Sequence, residues 1–322
     1  MVIPPKYFLT TKITSLLQSI EASKEVINSV NIPIEVEANF RRKSTLKSSL
    51  FSARIEGNTL TLTDLPQVSS KTQRTQEVFD ILKALNWVHE RRSKDLTTKD
   101  ILKLHQMVMG EGKFRTDIGA IFNSAGIAIY LPPRPTQIEP LINKLITFTN
   151  SQKEQFVPVK AALVHYTFEK IHPFLDGNGR VGRLLLQAVL QKEGYGMKGI
   201  LPLEEYLDKH RSEYYSVLED SEKDVTDFVE FILEAIAEAA KEAKEQILQK
   251  DEIQIEDLLL PRRAEILNII KEHQMVNFDI IRRRFLAVNE RTLRYDLKKL
   301  VDSGLIKKLG TTKGVYYEIK SQ

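Results

Sequence analysis

The 322 residues contain no cysteine. That absence excludes a disulfide framework, Cys-ligated zinc, iron–sulfur clusters and a thiol nucleophile. No stretch approaches the roughly 18–20 consecutive apolar residues of a membrane span. The opening twelve residues, MVIPPKYFLTTK, lack a basic segment followed by an apolar one, so no signal peptide is expected. Glycine (14) and proline (12) are sparse and clustered, which makes them usable punctuation between elements. There is no internal repeat and no low-complexity tract. What is present is 42% hydrophobic and 28% charged residues, a balance that builds a packed core and argues against wholesale disorder. The expectation is a soluble, cytoplasmic chain with one large domain and one or two small ones.

Apolar residues recur at helical spacing through most of the chain. Ile13, Leu16, Leu17 and Ile20 mark a first helix that Pro33 ends. A second runs over about 35–55 and stops at Gly57-Asn58. Further helices are expected over 75–91, from an N-cap at Thr97/Thr98 to 109, and over 135–150, 158–170, 207–220 and 225–250. Helical periodicity fails over 111–135. There the string Gly126-Ile127-Ala128-Ile129-Tyr130-Leu131-Pro132-Pro133 suggests a short hairpin.

The segment His172-Pro173-Phe174-Leu175-Asp176-Gly177-Asn178-Gly179-Arg180-Val181-Gly182-Arg183 concentrates chemistry. Pro173 and Gly177 keep His172 and Asp176 in a loop. Gly177 and Gly179 remove Cβ atoms where backbone must approach something closely. A helix opens directly afterwards, and its unpaired amides and positive dipole end make an anion site suited to phosphate. Arg180 and Arg183 lie one turn apart, so both can donate to one polyphosphate. Asp176 is a hard oxygen ligand for Mg²⁺. His172 alone in the segment can act as a general base near neutral pH. The assembly predicts nucleotidyl or phosphoryl transfer.

The same residues match in full the signature of the Fic family, His-Pro-Phe-x-(Asp/Glu)-Gly-Asn-Gly-Arg-x-x-Arg. The resemblance extends upstream to Gly112-Lys113-Phe114-Arg115-Thr116, Tyr130 to Pro135 and His165 to Ile171, and downstream to Tyr214-Tyr215. It implies a mainly α fold, a Fic helical bundle with a short β-hairpin flap. It also implies protein AMPylation: transfer of AMP from ATP to a Ser, Thr or Tyr hydroxyl with release of pyrophosphate. In that reading His172 deprotonates the target hydroxyl and Asp176 binds Mg²⁺. Gly177, Asn178 and Gly179 form the anion hole, and Arg180 and Arg183 hold the β- and γ-phosphates. Phe174 anchors the loop. Ile127, Ala128, Ile129, Tyr130 and Leu131 resemble the flap that pairs with the target backbone. Tyr214 and Tyr215 resemble adenine-side residues. The partner is a target protein, or the chain itself by auto-AMPylation, and a homodimer is expected.

The second helix ends in Ser52-Ala53-Arg54-Ile55-Glu56-Gly57-Asn58. A glutamate there faces the negative end of the helix dipole, so a nearby cation is expected. The string resembles the Fic inhibitory motif, (Ser/Thr)-x-x-x-Glu-(Gly/Asn), of the group with an N-terminal inhibitory helix. That implies Glu56 pairs with Arg183 and displaces the ATP γ-phosphate, with Ser52 positioning the helix and Gly57 ending it. De-AMPylation, or transfer of another nucleotide at the same site, is the alternative activity.

Beyond residue 260 the chain changes character, with 14 Lys/Arg against 7 Asp/Glu in a chain of net charge +4. Three helices followed by a hairpin is the order of a winged helix-turn-helix. Leu293, Leu297 and Leu300 form the buried face of its third helix. Arg291, Thr292, Arg294, Tyr295, Lys298 and Lys299 are candidate DNA contacts, with Lys307, Lys308 and Lys313 on the wing. The alternatives are a module that binds protein or dimerises, and a nucleotide-sensing DNA-binding regulator. His89, His105, His210 and His273 are isolated and read as surface or core residues. His165 reads as a helix residue supporting the loop. The resulting division is 1–95 with the inhibitory helix, 96–222 as catalytic core, 223–258 as a connecting helix whose stripe also suits core or dimer contact, and 259–322 as the winged helix.

Overall fold

A computed structural model describes residues 1–62, 64, 72–91, 95–119, 121–122, 128–219, 224–248, 259–285, 288–310 and 314–320. The chain divides into two compact units. One comprises residues 1–31, 43–60 and 73–249, the other 32–42, 61–72 and 250–322. No described helix is long and apolar enough to cross a membrane.

The larger unit is helical. It contains α1 (Thr11–Ser29), the C-terminal part of α2 (Ile34–Ile55), α3 (Gln73–Glu90), α4 (Thr98–Met109), α5 (Pro135–Thr149), α6 (Val157–Ile171) and α7 (Asn178–Lys192). A one-turn 3-10 segment, Met197–Gly199, precedes α8 (Leu203–Lys209), α9 (Arg211–Glu219) and α10 (Thr226–Leu248). Helices α6 and α7 pack on each other at its centre, and α3, α4, α5 and α10 cover them. Every residue of α6 from Pro158 to Ile171 is buried. A helix buried on all faces is ordinarily apolar throughout, yet α6 also buries Lys160, His165, Glu169 and Lys170. His165 and Glu169 face Gly182 of α7, whereas Lys160, near the start of α6, bonds Ser151 O and Glu193.

Local chemistry explains the element ends. Thr97 and Asp100 form a reciprocal capping box at the start of α4, and Gly110 ends that helix in the left-handed region. Pro135 and Pro158 stand in the first turns of α5 and α6, where a missing N–H costs nothing. α2 closes with a Schellman motif: Asn58 N–H donates to Ala53 O and Gly57 N–H to Arg54 O, with Gly57 at φ +97°. Strands β1 (Ile121–Phe122) and β2 (Ala128–Tyr130) form the expected hairpin. The stripe of α10 is core, as its spacing suggests. It buries Phe228, Phe231, Ile232 and Ile236 and packs on α1, α6, α8 and α9.

Two elements differ from the periodicity. The single helix expected over 207–220 is two helices, which start earlier and break at His210. The smaller unit holds α11 (Pro261–His273), α12 (Phe278–Arg284), α13 (Glu290–Asp302), β4 (Ile306–Leu309) and β5 (Tyr316–Ile319). It also holds β3 (Met275–Asn277), a strand the periodicity does not show. The sheet is antiparallel in the order β3-β5-β4. Three residues are too few for alternation to be visible, and Asn277 doubles as the N-cap of α12.

Candidate active site

The loop between α6 and α7 is built from both ends. His172 caps α6 in the left-handed region, φ 48° and ψ 60°, a conformation unusual for a residue with a Cβ. Its N–H donates to Phe168 O at 3.0 Å. Its ring Nδ1 lies 3.3 Å from the carbonyl of Glu169. A carbonyl only accepts, so Nδ1 carries the proton and Nε2 keeps its lone pair. Burial pushes the His172 pKa below the usual histidine value, and the Arg115 guanidinium adds to that lowering.

Arg115 is a part of the site that the loop motif does not reveal. It is 4% exposed. Its Nε donates to His172 O at 2.8 Å, one terminal nitrogen to Asp117 O and the other to Pro133 O, while its backbone N–H donates to Pro173 O. One buried side chain therefore ties the catalytic loop to the base of the hairpin. His105, read as isolated, is a second such part. Its ring stacks on Phe174 with centroids 3.7 Å apart, and its Nε2–H donates to Asp176 O at 3.1 Å. Phe174 is fully buried, as an anchor should be. Asn178 braces the loop with both side-chain atoms, accepting from Phe174 N–H and donating to Phe174 O, each at 2.9 Å.

Gly177 sits at φ +80°, and a Cβ there would lie 2.6 Å from Met109 Cγ. Conformation and space both require glycine. Gly177→Ala is therefore expected to cost about 1–3 kcal/mol of stability, read as a lowered thermal midpoint. An unchanged midpoint would remove the strain argument.

The charged groups converge on the start of α7. Arg180 donates to Asp176 Oδ1 at 2.9 Å and to Glu77 Oε1, from α3, at 2.7 Å. Arg183 is 1% exposed and reaches the end of α2: Nε to Ser52 Oγ at 3.0 Å, and one terminal nitrogen to Ser52 O at 3.0 Å and Glu56 Oε1 at 2.8 Å. Burial opposes the Arg183 charge, and the Glu56 carboxylate more than offsets it. A Cβ at position 179 would lie 2.4 Å from Glu56 Oε1, so Gly179 gives this carboxylate its space. α9 holds the same end of α2: Arg211 donates to Arg54 O and Tyr215 OH to Ile55 O, both at 3.2 Å. Those bonds satisfy carbonyls that a helix end leaves orphaned.

Tyr214 is 1% exposed. It stacks on His165, whose Nε2 lies 2.8 Å from its hydroxyl. Tyr215 is half-buried on the end of α2. His165 has a pKa near 3, through burial first and then the Arg183 charge, so it is neutral. Burial raises Glu169 to about 8. Both face Gly182, where a Cβ would lie 2.1 Å from Glu169 Oε1. In the hairpin, Tyr130 OH donates to Lys170 O at 2.9 Å, and Leu131 is 71% exposed. Ala128 and Ile129 are on β2, and Ile127 lies outside the described residues.

Asp176 can hold Mg²⁺. Its side chain is 71% exposed, and Oδ1 is engaged by the Gly177 N–H and Arg180. The described residues contain no cluster of three or more metal-ligating side chains. A cleft of about 460 Å³ opens beside Asp176, which lines it with His105, Met109, Phe114, Arg115 and Leu175.

Comparison with known proteins agrees with this geometry. Residues 95–190, which contain the loop and both arginines, match the profile of the Fic/DOC family. Those residues form a Fic domain. Relatives named protein adenylyltransferase Fic, from Drosophila sechellia and Drosophila melanogaster, are each 28% identical over 235 residues, covering 67% of this chain. The chain spans about half the length of these curated relatives, 45%. A Fic family protein from Desulfovibrio desulfuricans shares the fold across 99% of this chain and 98% of its own, with a TM-score of 0.67 and 23% identity. Fic-1 from C. elegans (residues 134–508) shares it over 74% of this chain and 73% of its own, with a TM-score of 0.60 and 20% identity. The helical Fic fold with its hairpin is thus established.

In the smaller unit, α13 buries Leu293, Leu297 and Leu300 as expected, and also Asp296. Asp296 accepts from Arg262 and Arg263 of α11, an anchor the charge pattern does not show. Arg291, Arg294, Tyr295, Lys298 and Lys299 are exposed, and Thr292 is half-buried. Arg294 lies 3.9 Å over the Phe278 ring. Lys307 and Lys308 are exposed on β4, and Lys307 pairs with Glu318. Lys313 lies outside the described residues.

Proposed function

We propose that this chain transfers AMP from ATP to a protein hydroxyl, held in check by Glu56. The observation that carries the proposal is the convergence at the start of α7. His172 presents an unprotonated Nε2, Arg180 and Arg183 lie one turn apart at the start of α7, and Glu56 occupies Arg183. The target hydroxyl gives its proton to His172 Nε2. Its oxygen attacks the α-phosphorus as the α–β bridging bond breaks, and pyrophosphate leaves with that electron pair. Arg180 and Arg183 stabilise charge on the leaving phosphates. Gly177 to Gly179 supply backbone N–H groups at the helix N-terminus. Mg²⁺ held by Asp176 neutralises phosphate charge when bound. The relatives' name, protein adenylyltransferase, supports the reaction class.

Incubation with α-labelled and, separately, γ-labelled ATP tests this. Protein label from the α position alone is the expected result. Label from the γ position would mean phosphoryl transfer. Loss of AMP from a pre-modified target, without net transfer, would favour the reverse activity.

The smaller unit is read as a winged helix that contacts DNA through the exposed face of α13. Duplex binding by the whole chain should weaken steeply between 50 and 200 mM salt, by on the order of 10³-fold if six phosphates are contacted. Absent binding at low salt would refute this and favour a protein-binding module.

A further inference from the structure

The inhibitory contact described above immobilises one of the two phosphate-binding arginines. The other, Arg180, is not free either. We propose that Glu77 is a second carboxylate of the nucleotide gate, one that withholds Arg180 from the triphosphate and is tied to the inhibitory segment through Asn58. The inference rests on the reading of Arg180 as a phosphate ligand.

Glu77 lies on α3, far in sequence from the loop. Its Oε1 accepts from Arg180 at 2.7 Å, and its Oε2 accepts from Asn58 Nδ2 at 2.9 Å. Asn58 is 8% exposed and also donates to Arg74 O at 2.9 Å. It follows directly on Glu56-Gly57 and closes the Schellman motif of α2. Two carboxylates flanking one chain crossing, Glu56 at the end of α2 and Glu77 at the start of α3, therefore each hold one of the paired arginines. Asn58 joins them. Arg180 is 8% exposed, and its two terminal nitrogens are taken by Glu77 and Asp176. A triphosphate that recruits both must displace a carboxylate or accept its negative charge alongside. Charge at that spot in a half-dry site opposes an incoming polyanion strongly.

This arrangement predicts a sign. A residue that merely orients Arg180 for the phosphates would weaken ATP binding when altered. A competing carboxylate would strengthen it. Calorimetric titration of the whole chain with ATP, and with AMP as control, separates the two. Glu77→Gln keeps the volume and the bond to Asn58 while removing the charge. It should tighten ATP binding about tenfold, within the usual range of coupling between linked sites, and leave AMP binding unchanged. Glu77→Ala should move ATP affinity in the same direction, and Glu77→Gln added to Glu56→Gly should tighten it beyond Glu56→Gly alone.

ATP affinity unchanged or weakened by Glu77→Gln, in a protein whose Glu56→Gly form binds ATP, overturns the gate and leaves the proposed function standing. Equal tightening for AMP overturns it too, because AMP has no β- or γ-phosphate to recruit Arg180. If no form binds ATP, both the gate and the proposed function fall. The readout is binding, so an ATP affinity that rises without any AMP transfer supports the gate while refuting the activity.

Discussion

Glu56→Gly is expected to raise AMP incorporation from α-labelled ATP, by about 100-fold if the latch is worth the roughly two to three kcal/mol typical of such couplings. The basis is competition for one guanidinium. Arg183 is almost wholly buried, and Glu56 Oε1 takes its terminal nitrogen at 2.8 Å. A γ-phosphate that needs the same nitrogen must expel the carboxylate first. Removing Glu56 has a second consequence, in stability. It leaves a buried cation without its partner, a change that typically costs about 3–5 kcal/mol. The Glu56→Gly protein should thus melt earlier than wild type without nucleotide and recover much of the loss when ATP is added. A variant that labels no faster, with ATP affinity also unchanged, would refute the latch.

His172→Ala in the Glu56→Gly background is expected to lower AMP transfer by on the order of 10²–10⁴-fold with ATP binding largely intact, the range seen when a general base is removed. Unchanged labelling would sink the role. The pH dependence supplies a second check whose sign follows from the environment. Burial foremost, then Arg115, lowers the His172 pKa from the ordinary 6.5. Only the unprotonated ring can take the hydroxyl proton. Activity is therefore full above that lowered pKa and falls as pH drops through it, so the acid limb of the kcat/KM profile has its midpoint below 6.5. A midpoint at or above that value would contradict the placement of the ring.

Much of this site is legible without coordinates because its chemistry is local. The proposed phosphate site at the start of α7 needs glycine, asparagine and arginine at fixed offsets. Backbone conformation over twelve residues brings them together, and the left-handed φ of Gly177 favours glycine locally even before the contact with Met109 is counted. The Glu56-Gly57 ending is similar, a Schellman stop that short-range backbone bonds create. Helix spans follow from apolar spacing, and most ends fall within two residues of the expected position.

What escaped is non-local. The side-chain partners of Arg115, His105, Glu77 and Asn58 carry no spacing signature, because each is distant in sequence. Tyr214 illustrates the converse. Resemblance reads it as an adenine-side residue, and the packing of α9 on α10 buries it against His165, a contact the sequence does not show. The break at His210 has no glycine or proline to announce it, and the buried groups of α6 are indistinguishable in sequence from surface ones. Asp296, one acidic residue on a basic helix, reads as solvated until α11 brings two arginines to it. The turn that opens α7 and the Glu56-Gly57 ending of α2 are thus written in short stretches of chain, since a helix N-terminus and a backbone turn need only neighbouring residues. Which buried side chains hold the loop in place, and which carboxylate waits on Arg180, depend on helices far apart in sequence meeting. Those contacts exist only after the core has formed.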